Sequence, residues 1–194
     1  MTARDPARTR AGLVEAALAT LKHEGYSGTT ARAIAARAGV NQALVFYHFG
    51  GVDRLLLAAL DASAAERLER YRSALAEAAT PAEKVAVARR LYREDVEGGH
   101  VTVIAELVAA SLAEPTLRPL LLERMRPWLE LTEQVLTEIA GSTALADLVR
   151  PAEAAQALVA LYFGLNLLSR LDPASAHAEA LFDALERVAP LLAA

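Results

Sequence analysis

The stretch from Thr29 to Gly50, TTARAIAARAGVNQALVFYHFG, constrains the fold of this chain more than any other part of the sequence. Thr29 and Thr30 are both suited to cap a helix N-terminus, and small apolar residues then recur at helical spacing. Gly39 supplies the left-handed backbone position that ends such a helix without a Cβ clash. The first half of the stretch therefore predicts a short helix that is closed by a tight turn.

The second half predicts another short helix. Asn41 is a suitable N-cap, and the helix is expected to run from Gln42 to His48. Leu44 and Val45 lie on its inward side. The residues expected on its outward side are Gln42, Ala43, Phe46 and Tyr47. Two helices across a glycine turn make a helix-turn-helix, whose second helix fits the major groove of DNA. Periodicity alone leaves open an αα-hairpin inside an ordinary helical bundle.

The residues around this motif resemble the N-terminal DNA-binding domain of the tetracycline-repressor (TetR) family of bacterial transcriptional regulators. The resemblance runs from Leu13 to Leu60, roughly the first quarter to third of the chain. The segments that fall at the family's spacings are Gly25-Tyr26, Thr29-Thr30, Ile34-Ala35, Ala38-Gly39-Val40 and Tyr47-His48-Phe49. The resemblance favours a DNA-binding helix-turn-helix over a structural hairpin.

The resemblance also implies roles for single residues. Arg32 and Gln42 match positions that face base edges, where Arg suits guanine and Gln suits adenine. Thr30, Tyr47 and His48 match positions that face phosphates, where contacts set register and affinity. The predicted DNA-binding residues are Thr30, Arg32, Asn41, Gln42, Ala43, Phe46, Tyr47 and His48.

Three residues depart from the family pattern. Phe46 stands where a tyrosine is usual, and Val52 stands where a lysine is common, so two phosphate contacts are missing. Ala33 lacks the acidic side chain that would complete a capping box with Thr30. Arg54 is placed to compensate for the missing lysine. If it does not, DNA binding should be weaker and less sensitive to salt than in the family.

The composition favours an all-α fold. Apolar residues make up 54% of the 194 residues, with Ala and Leu dominant and only 5% aromatic residues, and no β-type alternation interrupts the helical pattern. Without cysteine there is no disulfide framework and no thiolate metal site. The longest uncharged stretch, Ala154 to Ser169, is shorter than the roughly 20 residues of a membrane span. We therefore expect a cytoplasmic protein that does not contact a membrane.

Charge is distributed unevenly along the chain. The net charge is −4, but residues 1–57 carry seven basic and four acidic side chains, which gives +3 there and leaves −7 for the remainder. A basic N-terminal part and an acidic remainder are expected in a protein that contacts DNA phosphates through its N-terminal part only. A chance distribution of surface charge is the alternative.

Helix-breaking residues divide the rest of the chain. The first helix is expected to begin near Asp5-Pro6 and to stop at Gly25, and a bend is expected at Pro127. The later predicted helices span Val52 to about Ala78, Pro81 to Gly98-Gly99, His100 to Ala113, Thr116 to about Ala140, Pro151 to Arg170, and Pro173 to Leu192. The predicted domains are a three-helix DNA-binding domain (1–50), a linker helix (51–79) and a C-terminal helical bundle for ligand binding and dimerisation (80–194).

The last two helices are predicted to form an apolar hairpin. Its apolar surface is wider than packing within one subunit requires. In the resembled family such helices form a two-fold dimer. The predicted interface residues are Leu158, Leu161, Leu165, Leu168, Leu181, Phe182 and Leu185. The alternative is that one side of the hairpin completes the core of the monomer.

The resemblance further implies a ligand cavity in the C-terminal bundle. The residues expected to line it are Tyr92, His100, Glu106, Met125, Trp128, Tyr162, Phe163 and Asn166. A core or surface position is the alternative for each of them, and for His100 the alternative is a helix-start surface residue. A mostly apolar lining favours a lipophilic small molecule.

Together these features predict a ligand-responsive transcriptional regulator, typically a repressor, that binds a palindromic operator as a homodimer. An enzyme is not expected, because the chain lacks a glycine-rich phosphate loop, a G-x-S-x-G elbow and an H-E-x-x-H pair. Neither a metal nor a cofactor is expected, since the histidines show no metal-ligand spacing; they are His23, His48, His100 and His177. The remaining alternative is a helical homodimeric interaction module with a weakened or lost DNA-binding head.

Overall fold

A computed structural model describes residues 5–140, 150–172 and 177–192 of the chain. Over these ranges every regular element is helical and no strand is present, which confirms the all-α fold class. The elements are α1 Pro6–Gly28, α2 Ala31–Ala38, α3 Ala43–Phe49, α4 Val52–Glu77, α5 Pro81–Glu97, α6 His100–Ala113, α7 Leu117–Ala140, α8 Pro151–Leu171, α9 His177–Val188 and a short 3-10 helix, Ala189–Leu192.

Local side-chain chemistry sets the helix ends in the first part of the chain. The Thr30 hydroxyl accepts a hydrogen bond from the Ala33 amide at 3.1 Å and caps α2. Gly39 ends α2 in the left-handed region at φ 64°. Both ends of α2 agree with the sequence pattern. The Oδ1 of Asn41 accepts from the Ala43 amide at 2.8 Å, but Gln42 holds the N-cap position of α3, so α3 lies one residue later than the predicted helix from Gln42 to His48.

Two other helix boundaries differ in detail from the predictions. The backbone of α1 leaves helical geometry at Gly25, where a stop was predicted, but a last turn carries the helix on to Gly28. Helix α7 continues through Pro127 to Ala140 as predicted, and the bend at Pro127 stays a prediction. The predicted start of the last helix at Pro173 lies outside the described residues, and α9 begins at His177.

The described chain packs as two compact units. The first contains the described residues up to Glu66 together with Thr102–Glu123. Its core is a single apolar cluster that joins the helix-turn-helix to the start of α4 and to parts of α6 and α7; its most deeply buried members include Leu13, Ile34, Val45, Leu55, Leu56 and Leu107. This grouping cuts across the predicted division at residues 50 and 79, which is a functional division and stays a prediction.

The second unit contains Arg67–Val101 and the described residues from Arg124 onwards. Within it, α9 packs against α5 and α8. Tyr92, Ala178 and Phe182 form a small buried cluster, with further apolar side chains packed around it. Arg89 and Arg93 lie beside this cluster and bind Glu179 of α9. The second unit is therefore held by both apolar and charged contacts.

Candidate functional site

Helix α3 presents a fully exposed outer face. Val45 and Phe49 are buried and fix the helix to the first unit, while Leu44 is half-buried. Phe46 and Tyr47 leave 55% and 80% of their surface in solvent although both are large and partly apolar. The other predicted contact residues are also exposed; Asn41, Gln42 and Ala43 lie at the start of α3, and Thr30 and Arg32 lie at the start of α2. Aromatic residues held this far out of a core are available to a partner surface.

His48 lies half-buried at the edge of the same face. Its ring contacts Tyr47 edge-on, with 5.0 Å between the ring centroids. Both side chains border a surface depression of about 510 Å³ that Pro6 and Thr9 of α1 also line. Two of the three predicted phosphate-facing residues, Tyr47 and His48, are therefore adjacent, and the start of α1 borders the same depression.

The structure places Arg10 of α1 beside α3, although the sequence indicated only its charge. Its guanidinium carbon lies 4.9 Å from the centroid of the Phe49 ring, and the residue is exposed. Little in the sequence indicates this contact, because Phe49 lies 39 positions after Arg10. A cation held beside α3 is suited to a phosphate.

The residues at the start of α4 explain one departure from the family pattern. Val52 is half-buried and packs against the first unit's core, which a charged ammonium group would not favour. Arg54 is exposed, and its side chain lies over Gly50: a Cβ added at Gly50 would be 3.2 Å from Nη1 of Arg54. A cation is therefore present near the end of α3 despite the missing lysine.

Tyr26 ties the end of α1 to α4 and α6 within the first unit. Its amide donates to Oε2 of Glu106 at 2.9 Å, and its hydroxyl donates to Oδ1 of Asp53 at 3.0 Å. Burial, followed by the hydrogen bond that the Tyr26 hydroxyl donates to Asp53, raises the pKa of Tyr26 to about 12. Glu106, a predicted ligand anchor, thus has a structural partner here and belongs to the first unit.

The second unit contains a buried carboxylate that the sequence analysis missed. Asp95 is only 1% exposed, and both of its oxygens accept hydrogen bonds from the guanidinium of Arg67. The hydroxyl of Tyr71 donates to Oδ2 at 2.5 Å, and the hydroxyl of Tyr162 lies 3.4 Å from the same oxygen. Asp95 lies four positions after buried Leu91 and therefore on the apolar face of its helix. A carboxylate on an apolar face is the feature of the sequence that could have predicted this buried group.

These contacts shift the titration of the surrounding groups. Burial, and then the charge of Asp95, raises the pKa of both Tyr71 and Tyr162 far above the ordinary value of a phenol. The hydrogen bond and charge of Asp95 outweigh the effect of burial on Arg67, whose pKa is raised. The cluster therefore holds a charged guanidinium and two neutral phenols around Asp95 at neutral pH.

Several predicted ligand residues surround this cluster. Trp128 contacts Tyr71 edge-on at 5.2 Å, and Tyr162 contacts Tyr92 at 5.5 Å, both between ring centroids. Asn166 is buried and donates from its side chain to the Tyr162 carbonyl at 2.7 Å. The other predicted residues of this unit, all half-buried, are His100 at the start of α6, Met125 and Phe163.

The predicted dimer residues divide into two groups. Leu158, Leu161 and Leu168 of α8 are exposed by 40–49%. By contrast, Phe182 is buried against Tyr92 in the small cluster of the second unit. The other three predicted residues are half-buried, namely Leu165, Leu181 and Leu185. The exposed apolar surface of this hairpin is therefore mainly that of α8.

Helix α8 is also long and apolar enough to cross a membrane. The window Pro151–Ser169 has a mean hydropathy of 1.2, and only 11% of it is buried. The uncharged stretch from Ala154 to Ser169, which is shorter than a membrane span, covers only part of helix α8. Two bent helix pairs, α3 with α4 and α5 with α6, meet the same length and composition limits when each pair is taken together.

In the described ranges, no three His, Cys, Asp or Glu side chains are grouped as a metal site.

Comparison with known proteins agrees with the helix-turn-helix geometry of α2 and α3. A family model described as "Bacterial regulatory proteins, tetR family" matches residues 13–59. The multidrug binding protein EbrR, whose crystal structure contains imidazole, is 30% identical, covers 96% of this chain and 92% of its own, and has a TM-score of 0.65. The chain belongs to the TetR family.

Two further relatives match this chain over different lengths. The transcriptional regulator BetI of Brucella canis is 37% identical over 82 residues, which is 42% of this chain and 41% of BetI. The match thus spans well under half the length of this curated relative. The regulator FadR from Bacillus subtilis, solved with stearoyl-CoA, is 19% identical with a TM-score of 0.75 and covers 92% of this chain and 96% of its own. At that identity FadR supports the TetR fold alone.

The part of the chain matched by the TetR model, residues 13–59, contains all eight predicted DNA-binding residues. It also contains Tyr26, Asp53 and Arg54, but not Arg10 or Glu106. The Tyr26 contacts therefore join the matched TetR segment to α6, which lies outside it.

Proposed function

We propose that this TetR-family chain is a homodimeric transcriptional regulator that binds a palindromic DNA operator through α2 and α3. It acts as a repressor, and a small molecule bound in the second unit releases it from DNA. The exposed outer face of α3, fixed from below by buried Val45 and Phe49, is the observation that carries this proposal.

The chemistry of this face suits DNA. Gln42 and Arg32 supply donor and acceptor groups for base edges, while Tyr47 and His48 supply donors for phosphates. Arg10 beside Phe49 and Arg54 beside Gly50 add positive charge near α3, and thereby offset the absence of the family's lysine at Val52. Phe46 is suited to contact a thymine methyl group.

A second copy of the chain is the proposed partner of α8. The exposed leucines Leu158, Leu161 and Leu168 lie along it, and a Cβ added at Gly164 would meet nothing within 4 Å. An apolar surface of this length is stable in water only when it is covered, and two copies related by a two-fold axis cover it mutually. We favour this over membrane insertion because a dimer also sets two heads at the spacing of operator half-sites, about 34–36 Å or a multiple of it.

The second unit is the proposed effector site. It combines aromatic side chains with a small number of buried polar groups, the usual composition of a small-molecule pocket. EbrR is named a multidrug binding protein, and FadR was solved with stearoyl-CoA, which has a long apolar chain, so proteins with this fold hold small molecules and one of them holds a lipophilic molecule. The effector shifts the dimer away from the DNA-binding state only as far as it prefers the other state.

The decisive experiment is selection of bound duplexes from a random DNA pool by the purified full chain, at two salt concentrations. We expect an enriched palindrome whose affinity falls as salt rises, because phosphate contacts release counterions. No enrichment at low salt, from protein shown to be folded and dimeric, would instead favour an interaction module without DNA binding.

Two substitutions separate base contacts from phosphate contacts. Gln42→Ala should relax base preference at one operator position and cost about 1–3 kcal/mol there, whereas Tyr47→Phe should weaken all sequences about equally. Both can be measured by titrating the selected operator and its single-base variants. Equal loss of specificity from both changes would contradict the proposed roles.

A further inference from the structure

We propose that the second unit binds a substituted guanidinium or amidinium cation with an apolar tail, which takes the place of the Arg67 guanidinium on Asp95. This assignment names the chemical class of the effector and rests on the effector role proposed above. It follows from how Asp95 is surrounded and from which member of the Arg67–Asp95 pair reaches solvent.

The surroundings of Asp95 form a receptor for a planar cation with two parallel N–H donors. Nε of Arg67 donates to Oδ1 at 2.9 Å, and Nη2 donates to Oδ2, so the guanidinium faces the carboxylate with two nitrogens. The hydroxyls of Tyr71 and Tyr162 complete the contacts of Oδ2. Any ligand that presents the same two-nitrogen edge satisfies the carboxylate equally well.

An aromatic face stabilises the same cation from the side. The guanidinium carbon of Arg67 lies 5.1 Å from the centroid of the Trp128 ring, within the range of a cation–π contact. Tyr71 stands perpendicular to Trp128, and Tyr162 contacts both Tyr92 and Phe163 edge-on. These rings provide apolar surface for the tail of a ligand whose head lies at Asp95.

Exposure decides which partner can leave. The Asp95 side chain is 1% exposed, whereas that of Arg67 is 14% exposed. The long Arg67 side chain can therefore turn into water and recover its hydration, while the buried carboxylate cannot. The incoming cation keeps Asp95 paired, so the exchange avoids the large penalty of an isolated buried charge.

Other ligand classes fit less well. An anionic ligand would approach the buried charge of Asp95 and would need Arg67 to abandon it. A quaternary ammonium has no N–H to donate, so it leaves the carboxylate oxygens without the two donors they now have. Arg70 does not fill the site either, since its Nη2 is 3.9 Å from Oδ1 and its side chain is 47% exposed.

The exchange has a mechanical consequence inside the second unit. Arg67 belongs to α4 and Asp95 to α5, so their pairing ties these two helices together. A ligand that replaces Arg67 removes the charged part of that tie and leaves only the hydrogen bond from Tyr71 of α4 to Asp95. Because α4 begins directly after α3, weakening of this tie gives the effector a route to the DNA-binding segment.

The test uses the full chain and the fluorescence of Trp128, which is the single tryptophan of the sequence. The probes are octylguanidinium, octyltrimethylammonium and octyl sulfate, all below their micelle-forming concentrations. We expect saturable changes in Trp128 emission with octylguanidinium, affinity about tenfold or more lower for octyltrimethylammonium, and no saturable change with octyl sulfate. Equal affinity for the two cations would overturn the assignment.

Three variants locate the binding. Arg67→Ala removes the competing guanidinium and should raise the affinity for octylguanidinium by about tenfold or more. Asp95→Asn should abolish saturable binding. Arg72→Ala is the matched control, because Arg72 is an exposed arginine of the same helix that pairs with Glu69, and its affinity should equal that of the unaltered chain. Unchanged affinity in Arg67→Ala would overturn the assignment.

A rescue measurement covers the case in which Asp95→Asn does not fold. Arg67→Ala should have a lowered melting temperature, and ethylguanidinium should raise it again in this variant while leaving that of Arg72→Ala unchanged. A melting temperature that ethylguanidinium does not restore would mean that the Arg67–Asp95 pair is structural only, and would overturn the proposal.

These measurements need no DNA, so the two proposals can fail separately. Guanidinium binding by a chain that enriches no duplex supports the Asp95 site and contradicts the regulator. An enriched operator with no guanidinium binding contradicts the Asp95 site and leaves the regulator supported.

Discussion

At the scale of single residues, Gly25 determines how the chain turns from α1 towards α2. Its backbone lies at φ 68° and ψ 179°, a region that only glycine occupies without strain. A Cβ there would also lie 3.2 Å from Oε2 of Glu106, which accepts the Tyr26 amide. Both the backbone angle and the close carboxylate therefore require glycine at this position.

Substitution of two glycines in the same helix should have opposite effects. Gly25→Ala should destabilise the chain by about 1–3 kcal/mol, because alanine is strained at this backbone angle. Gly12→Ala should stabilise it by about 0.5–1 kcal/mol, because Gly12 lies inside α1 and an added Cβ meets nothing within 4 Å. Urea unfolding of both variants checks this. A change of the same sign in both would contradict the assigned role of Gly25.

At the scale of elements, α9 is held to α5 by a charged network. Glu179 accepts hydrogen bonds from Nε of Arg89 at 2.9 Å and from Nε of Arg93 at 2.8 Å. Arg89 also pairs with Asp183 at 2.9 Å and Glu186 at 3.0 Å. The bonds from Arg93 and then Arg89 lower the pKa of Glu179 to about 2. Side-chain charge therefore reinforces the apolar contact between Tyr92 and Phe182.

The attachment of α9 should weaken in acid. Since the pKa of Glu179 is depressed in the folded state, its contribution is complete above the ordinary pKa of about 4.5 and is lost as pH falls towards about 2. We expect amide exchange in α9, corrected for its intrinsic pH dependence, to become less protected over that interval. Added salt should reduce the effect, because the network is partly exposed.

Glu179→Gln should remove most of this pH dependence and lower the protection of α9 at neutral pH. The matched control is Glu153→Gln, whose carboxylate is 69% exposed and pairs with an arginine that is 84% exposed. Its exchange profile should equal that of the unaltered chain. An α9 that stays equally protected from pH 5 to pH 2 would contradict the role of Glu179.

At the scale of the whole molecule, the proposed function depends on assembly. A single head reads one half-site, and a two-fold pair of heads gains affinity and selects a palindrome. The exposed leucines of α8, with only 11% of the helix window buried, are the surface available for that assembly. Operator affinity should therefore depend on residues far along the sequence from α3.

Leu161→Arg should convert a dimer to a monomer and greatly weaken operator binding, because it places a charge in the proposed apolar interface. Sedimentation velocity and operator titration measure the two effects. Leu122→Arg is the control, since Leu122 is 64% exposed and belongs to the first unit; it should leave the assembly unchanged. A Leu161→Arg variant that remains dimeric would show that α8 is not the interface.

The sequence alone determined the helix boundaries that depend on near neighbours. Thr30 and Gly39 act on backbone groups within four residues, so their spacing is sufficient to place α2. Asn41 also bonds a near amide, that of Ala43, and α3 begins one residue after its predicted start. The alternation of inward and outward residues in α3 follows from helix geometry in the same way.

Only the tertiary structure decided which distant polar groups meet. Asp95 binds Arg67 across 28 positions, and Glu106 binds Tyr26 across 80, whereas the sequence placed Glu106 in a ligand cavity. Phe182, grouped by its apolar character with the exposed leucines, packs inward on Tyr92. Such pairings depend on how whole helices pack, because a helix face does not specify its partner until another helix covers it.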